Sequence, residues 1–227
     1  SKKFNNTAII VAGGMGSRMG GAIPKQFLML KDKPVLQWSL ECFDSLPQIQ
    51  RIILVLPKAY VDEGRERLAG FKPTKEFVIT PGGARRQDSV AAGLKLVTEK
   101  EGLVAIHDAA RPFMPKNIIE KALEVAEETG SAVCALPCYD TMVKCQNGHI
   151  IKHMKRSELF RMQTPQVFRL ALMRKAIEHA RIRELEATDD SSLVMALGAE
   201  VKIVEGSELG MKITTPEDLR VLENLLN

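Results

Sequence analysis

Apolar and polar positions along the chain fall into two alternating patterns. Short, nearly continuous apolar runs occupy residues 7–12, 51–56, 77–80, 103–107, 131–137 and 201–204. Their length and β-branched content predict strands. Between most of them lie segments whose apolar side chains recur every three or four positions. These are residues 34–46, with Val35, Trp38 and Cys42 in line, residues 87–97, and residues 116–128, with Ile119, Ala122, Leu123 and Ala126. That period predicts helices. The alternation places the chain in the α/β class, and strands apolar on both faces predict a mainly parallel sheet with helices on either side. Ligands of such sheets bind at the carboxyl ends of the strands, so functional side chains are expected just after each apolar run.

One stretch breaks the pattern. Asn147-Gly148 separates two extended runs, 141–146 and 149–154, which predicts a β-hairpin. Two strands alone bury too little to be stable in water, so an arm at residues 139–156 is expected to lie on a second copy of the chain, as a homodimer. Near the C-terminus Thr215 is positioned as a helix cap, Pro216 as the first helical residue, and Glu217 and Asp218 as first-turn acids. A helix carrying Leu219, Leu222 and Leu226 should follow.

Composition narrows the functional classes. At 227 residues and 45% hydrophobic content, one core and a single domain are expected. Basic residues number 32 against 28 acidic ones, and the formal +4 is spread without blocks, which favours small anions over nucleic acid as partners. Residues 1–7 are short and polar, and no apolar run approaches the roughly 18 residues needed to span a bilayer. No leader or membrane anchor is expected, and the location expected is the cytoplasm. Four cysteines make no disulfide framework. Cys134 and Cys138 are expected to be buried and structural, because no histidine follows at zinc-ligand distance.

The first strand runs into Gly13-Gly14-Met15-Gly16-Ser17-Arg18-Met19-Gly20 and then Pro24-Lys25-Gln26. Glycines after a strand let backbone amides approach anionic oxygens. A P-loop needs Gly-Lys-Ser/Thr at its end, but Lys25 sits nine residues beyond Gly16 and follows a proline. A dinucleotide fingerprint needs glycine where Met19 stands and an acid where Pro57-Lys58 ends the second strand. What remains is a loop with two cations, Arg18 and Lys25, which suits a triphosphate. The plainer alternative is a tight turn with two solvated basic residues.

Other strand ends are also polar. After the run at 103–107 come Asp108-Ala109-Ala110-Arg111-Pro112. Asp108 is placed to hold Mg²⁺ or a ribose hydroxyl. Arg111 alternatively pairs with Asp108 for structural reasons, and His107 is expected to be a satisfied polar group. Gly82-Gly83-Ala84-Arg85-Arg86-Gln87-Asp88-Ser89 follows the third strand, where the glycines and Ser89 can meet a base, or Asp88 or Ser89 can cap a helix. Later clusters are Lys155-Arg156, Gln163-Thr164-Pro165-Gln166, and Ala187-Thr188-Asp189-Asp190 ahead of an apolar helix that Thr188 or Asp189 can cap. Lys212 sits in a short strand pattern. An inward cation there costs several kcal/mol unless an anion meets it; otherwise it points outward.

In this order, from residue 8 nearly to the end, these segments closely resemble the 2-C-methyl-D-erythritol 4-phosphate cytidylyltransferase family. The resemblance implies a Rossmann-like nucleotidyltransferase fold, a dimer embraced through the hairpin, and Mg²⁺. It implies CTP held by Ala12, Gly13, Gly14, Gly16, Gly82, Arg86, Ser89 and Asp108. Arg18 and Lys25 match the family's transition-state stabilisers. Arg156 and Lys212 match the residues that position the acceptor, helped by Asp108, Arg111, Asp140, Thr141, Thr164 and Thr188. The family's counterparts of Thr141 and Arg156 reach the neighbouring subunit's site. The chain departs at Gly13, where the family usually has alanine, and at Ala84, where an acid is frequent.

The implied chemistry explains what the sequence lacks. A phosphate monoester, with a second pKa of about 6, is already mostly a dianion at neutral pH and needs no general base. The demand is for cations around an in-line displacement between two polyanions. Two alternatives remain: a ribitol 5-phosphate cytidylyltransferase, disfavoured by Ala109-Ala110 before Arg111, and a non-catalytic nucleotide sensor, expected to have lost Arg18, Lys25 or Lys212.

Overall fold

The computed structural model describes residues 5–13 and 24–226. Its strands are β1 (Thr7–Val11), β2 (Met29–Leu30), β3 (Lys33–Pro34), β4 (Arg51–Leu56), β5 (Glu76–Pro81), β6 (Leu103–Asp108), β7 (Ser131–Pro137), β8 (Val143–Gln146), β9 (His149–His153), β10 (Phe160–Arg169) and β11 (Lys202–Glu205). The helices are α1 (Val35–Asp44), α2 (Val61–Arg67), α3 (Arg86–Lys95), α4 (Lys116–Thr129), α5 (Leu170–Arg183), α6 (Asp190–Met195) and α7 (Pro216–Leu225). Among the described residues, no helix is long and apolar enough to cross a membrane.

The central sheet has the order β11-β7-β10-β6-β1-β4-β5 and is parallel except for β10, which runs antiparallel to both neighbours. Strand residues alternate between two cores, as the pleat requires. Ala8 and Ile10 of β1 and Ile52, Leu54 and Leu56 of β4 face one core, with α1 and α4. Ile9 and Val11, with Ile53 and Val55, face the other, with α3 and α5. Ile9, Ile10, Ile52 and Ile53 are fully buried, each contributing about 1.5–3 kcal/mol by removal from water. This two-sided burial is why the strands read as unbroken apolar runs. Helix α3 comes close to β1 because it presents Gly93, where a Cβ would stand 2.9 Å from Ile9 Cγ2.

Two expectations about local structure need correcting. The segment around Gln163-Thr164-Pro165-Gln166 is the middle of the central strand β10, with a register shift between Met162 and Gln166 and a cis Thr164–Pro165 peptide. Proline is admitted there because the irregularity relieves it of ladder pairing. Lys212, by contrast, is in no strand: it follows a 3₁₀ turn at Glu208–Gly210, and the next amide, Ile213 N–H, donates to Ala110 O at 2.9 Å instead of to a strand.

The hairpin is present as β8 and β9, joined by Asn147 at φ 50° and Gly148 at φ 78°. It forms its own two-stranded sheet, and residues 144–158 are all exposed. Tyr139, Ile150, Ile151 and Phe160 present large apolar side chains to solvent, Tyr139 at 66% and Ile150 at 60% exposure.

Candidate active site

The carboxyl ends of β1, β5 and β6 meet two kinds of surface. The first is made by small residues. Gly82 N–H donates to Leu56 O at 2.7 Å, which extends β5 past its end. A Cβ on Gly82 would fall 2.4 Å from Ser89 Oγ, so only glycine allows buried Ser89 to sit against this backbone. Gly13, just beyond β1, approaches the same hydroxyl, at 3.9 Å from its ideal Cβ position. Ala12, Gly13, Gly82 and Ser89 thus form one thin-walled region where a planar group can approach main chain. Asp88 takes the structural role open to it: its carboxylate accepts from Arg85 N–H at 3.1 Å at the start of α3.

The second surface is charged and centres on Asp108, the last residue of β6. Arg86 Nε donates to Asp108 Oδ1 at 3.2 Å, and Lys212 Nζ donates to Oδ2 at 3.0 Å. Arg111 Nε stands 3.5 Å from the same Oδ2. Arg86 also donates through Nη1 to Asp190 Oδ2 at 2.7 Å. Burial works to raise the Asp108 pKa, but Arg86, Lys212 and Arg111 more than offset it and hold the carboxyl well below the usual range. Asp190 is equally buried but is paired with Arg86 alone among the described residues, and burial raises it. Asp189 lines the same cavity, so Arg86, Arg111 and Lys212 face three acids, with Asp108 the one that all three cations approach. Among the described residues, no hydrogen bond reaches buried Asp190 Oδ1 or Arg111 Nε.

Arg86, Asp108, Arg111, Gln163, Thr164, Gln166, Thr188 and Lys212 are among the residues lining a cavity of about 430 Å³. Neutral hydrogen bonds fix its walls. His107 Nε2 lies 3.0 Å from Arg111 O, a carbonyl that can only accept, so Nε2 carries the proton. Nδ1 is then an acceptor for the Thr164 hydroxyl at 3.0 Å, and Thr164 Oγ1 accepts from Asp108 N–H at 3.0 Å. Burial lowers the His107 pKa to about 4, consistent with this neutral ring. His107 is therefore the satisfied polar group expected of it.

The Gln163 amide donates to Ser207 O at 2.8 Å and accepts from Ser207 N–H at 3.1 Å, which pins the loop leading to Lys212. Arg111 Nη1 holds Gly210 O in that loop at 2.8 Å. Gln166 Oε1 accepts from Asp190 N–H at 3.1 Å and Ser191 N–H at 2.9 Å. Asp189 caps α6 by accepting from Ser192 N–H at 3.2 Å. Gln163, Gln166 and Asp190 were not singled out as site residues from sequence. Their available signal was a polar run inside an otherwise apolar strand, and a second acid after Asp189.

Other expected residues stand apart. Lys25 opens a 3₁₀ turn, Lys25–Phe27, tied to the end of β1 by the Gln26 side chain, whose Nε2 donates to Ala12 O at 2.8 Å. Asp140, Thr141 and Arg156 are exposed on the arm, where Arg156 Nη1 donates to Tyr139 O at 2.7 Å, and none lines the cavity. Gly14, Gly16 and Arg18 lie outside the described residues. Among the described residues, no group of three His, Cys, Asp or Glu side chains is arranged to hold a metal. Asp108 does not fit the role of metal ligand, because Arg86, Arg111 and Lys212 already neutralise its charge and would repel a second cation there. The cysteines are free, and burial pushes the thiols of Cys42 up to about 11 and Cys134 up to about 12.

Comparison with known proteins gives a consistent result. A family model described as IspD, 2-C-methyl-D-erythritol 4-phosphate cytidylyltransferase, matches residues 6–227. A protein of that name from Bacillus velezensis is 42% identical over 96% of this chain and 94% of its own length. One from Alkaliphilus oremlandii is 40% identical over 97% and 94%. The crystal structure of the enzyme from Thermus thermophilus is 34% identical, covers 98% of both chains and superposes with a TM-score of 0.77. That of 4-diphosphocytidyl-2C-methyl-D-erythritol synthase from Anaerococcus prevotii is 28% identical, covers 99% and 96%, and gives 0.85.

Proposed function

The chain belongs to the 2-C-methyl-D-erythritol 4-phosphate cytidylyltransferase family, and we propose that the polar cavity at its strand ends is where the family's reaction takes place. The enzyme transfers CMP from CTP to 2-C-methyl-D-erythritol 4-phosphate, giving 4-diphosphocytidyl-2-C-methyl-D-erythritol and pyrophosphate. One observation carries the placement: a buried carboxylate ringed by Arg86, Arg111 and Lys212, beside the thin-walled glycine surface.

An oxygen of the acceptor phosphate attacks the α-phosphorus of CTP. The new P–O bond forms as the bond to the bridging oxygen of the β-phosphate breaks, and pyrophosphate leaves with that electron pair. Because the nucleophile is already ionised, the protein's contribution is position and charge. Gly13, Gly82 and Ser89, with Ala12, Gly14, Gly16 and Arg86, take the nucleotide side. Asp108 orients Arg86 and Lys212 and is placed to meet a ribose hydroxyl. Arg111, Thr164, Thr188 and Lys212 take the acceptor side. Lys25 and Arg18 stabilise charge on the pentacoordinate phosphorus and the departing pyrophosphate, as fixed cations do in a water-poor site.

Two elements complete the reading. A bound Mg²⁺ would supply charge neutralisation to the triphosphate and would be held mainly by the nucleotide, the described residues grouping no three His, Cys, Asp or Glu side chains for it. A homodimer forms through the arm, so that Thr141 and Arg156, which Asp140 borders, serve the acceptor side of the neighbouring subunit. The exposed apolar side chains of the arm and the absence of these three residues from their own cavity's lining favour this. Pyrophosphate release from CTP, followed in parallel with methylerythritol phosphate and ribitol 5-phosphate, tests the whole. Release is expected with the first acceptor and not the second.

A further inference from the structure

Helix α7 contributes no residue to the cavity, yet it packs on the chain segments that follow or flank three of the site's cations. Buried Leu222 belongs to a small apolar cluster with Leu30, Val35 and Ile213. Leu28 and Leu30 follow Lys25 in the chain, Met211 and Ile213 flank Lys212, and Phe113 comes two residues after Arg111; all of them pack in this cluster. The cluster is separate from the two cores that cover the sheet.

Polar contacts reinforce the same junction. The Asp218 carboxylate accepts from Thr214 N–H at 2.9 Å, the Thr214 hydroxyl at 2.8 Å and Thr215 N–H at 2.9 Å, directly after Lys212-Ile213. On the other side Lys31 Nζ donates to Leu226 O at the end of α7. Trp38 Nε1 donates to Leu30 O at 3.1 Å, and its ring meets Phe113 edge-on at 5.3 Å. The helix therefore touches the nucleotide-side segment and the acceptor-side segment at once.

We propose that α7 is a positioning element and Leu222 its central positioning residue: it fixes the spacing between the turn bearing Lys25 and the loop bearing Lys212. This rests on the reading of those two lysines as the cations on either side of the reacting phosphates. In-line displacement is sensitive to such spacing, since a shift of about 1 Å in a reacting group can cost about 100-fold in rate.

The test compares cavities of equal kind. Leu222→Ala is expected to lower kcat by about ten-fold or more while the KM for CTP stays within about three-fold. Leu123→Ala, in α4 and the main core, should lower Tm by a similar amount and leave kcat within about two-fold. Leu222→Met should restore kcat. In a Lys212→Ala background the loss caused by Leu222→Ala should shrink, because the two act as one unit. A Leu222→Ala enzyme with kcat within about two-fold of wild type overturns the proposal. If that variant does not fold, Asp218→Asn replaces it: a several-fold fall in kcat supports the positioning role, and unchanged kcat overturns it. Normal turnover in Lys25→Ala and Lys212→Ala would instead remove the underlying reading of the lysines.

Discussion

The strand-end cavity and the hairpin arm treat their polar groups in opposite ways. At the cavity, Asp108 of β6 and Asp190 of α6 are buried, and the side chains that hold them come from α3, the loop after β6 and the loop before α7. On the arm, Thr141 and Arg156 are exposed, and Ile150 and Ile151 lie open on a sheet of two strands. The first region is built by the chain alone, whereas the second has the composition of a surface that something covers. A cluster of buried charges is held rigid only if every member is countered. An arm with nothing beneath it is stabilised only by what it docks on.

This contrast predicts effects of graded size. Lys212→Ala and Lys25→Ala should lose several powers of ten in kcat while keeping the wild-type circular dichroism spectrum and Tm within a few degrees. Near-normal turnover in either would remove that lysine from the mechanism. Asp108→Asn should cost about 3–5 kcal/mol, because it removes the one carboxylate that Arg86, Arg111 and Lys212 share. That corresponds to a fall in Tm of roughly 10 °C, measurable by calorimetry. An unchanged Tm would mean the network is solvated.

The next effect depends on pH. His107 has an ordinary pKa near 6.5 when unfolded and about 4 when folded, so between those values the unfolded chain binds the extra proton. Stability is therefore full above pH 6.5 and declines as pH falls toward 4, by on the order of 3 kcal/mol. Urea midpoints across that range should show the slope in the wild type, and it should flatten in His107→Gln. The Asp108 contribution behaves differently, being lost only below the ordinary carboxylate range as pH falls toward its depressed folded value. The smallest effect on the folding of the chain is expected on the arm. Ile150→Ser should change the unfolding free energy of the isolated chain by less than about 0.5 kcal/mol; if the arm pairs two chains as proposed, the variant should sediment more as monomer than the wild type does.

The two regions were unequally legible in the sequence. The parallel strands and α1, α3 and α4 could be read because burial on two faces or one stripe leaves a clear apolar period, and Asn147-Gly148 marked the hairpin turn. The central strand β10 could not, because Gln163, Thr164, Pro165 and Gln166 interrupt its apolar residues where it lines the cavity. Its polar residues are there for Ser207, His107, Asp190 and Ser191, and such long-range partners leave no local period. The same holds for Asp190, whose partner Arg86 is 104 positions away in sequence. Arg86, Asp108, Arg111 and Lys212 were identified by their order along the chain, and only the fold shows them meeting at one carboxylate. For Asp140, Thr141 and Arg156 neither the sequence nor the single chain supplies the contact they serve.

Mixing two inactive variants tests that division most directly. Lys212→Ala chains keep an intact arm, and Arg156→Ala chains keep an intact cavity. If each arm serves the neighbouring subunit, random reassociation makes about half the dimers mixed, each with one complete site. Pyrophosphate release from CTP and methylerythritol phosphate should then recover to about a quarter of the wild-type rate. No recovery, with mixed dimers demonstrated by differently tagged chains, would contradict a site shared between a rigid cavity and a partner's arm.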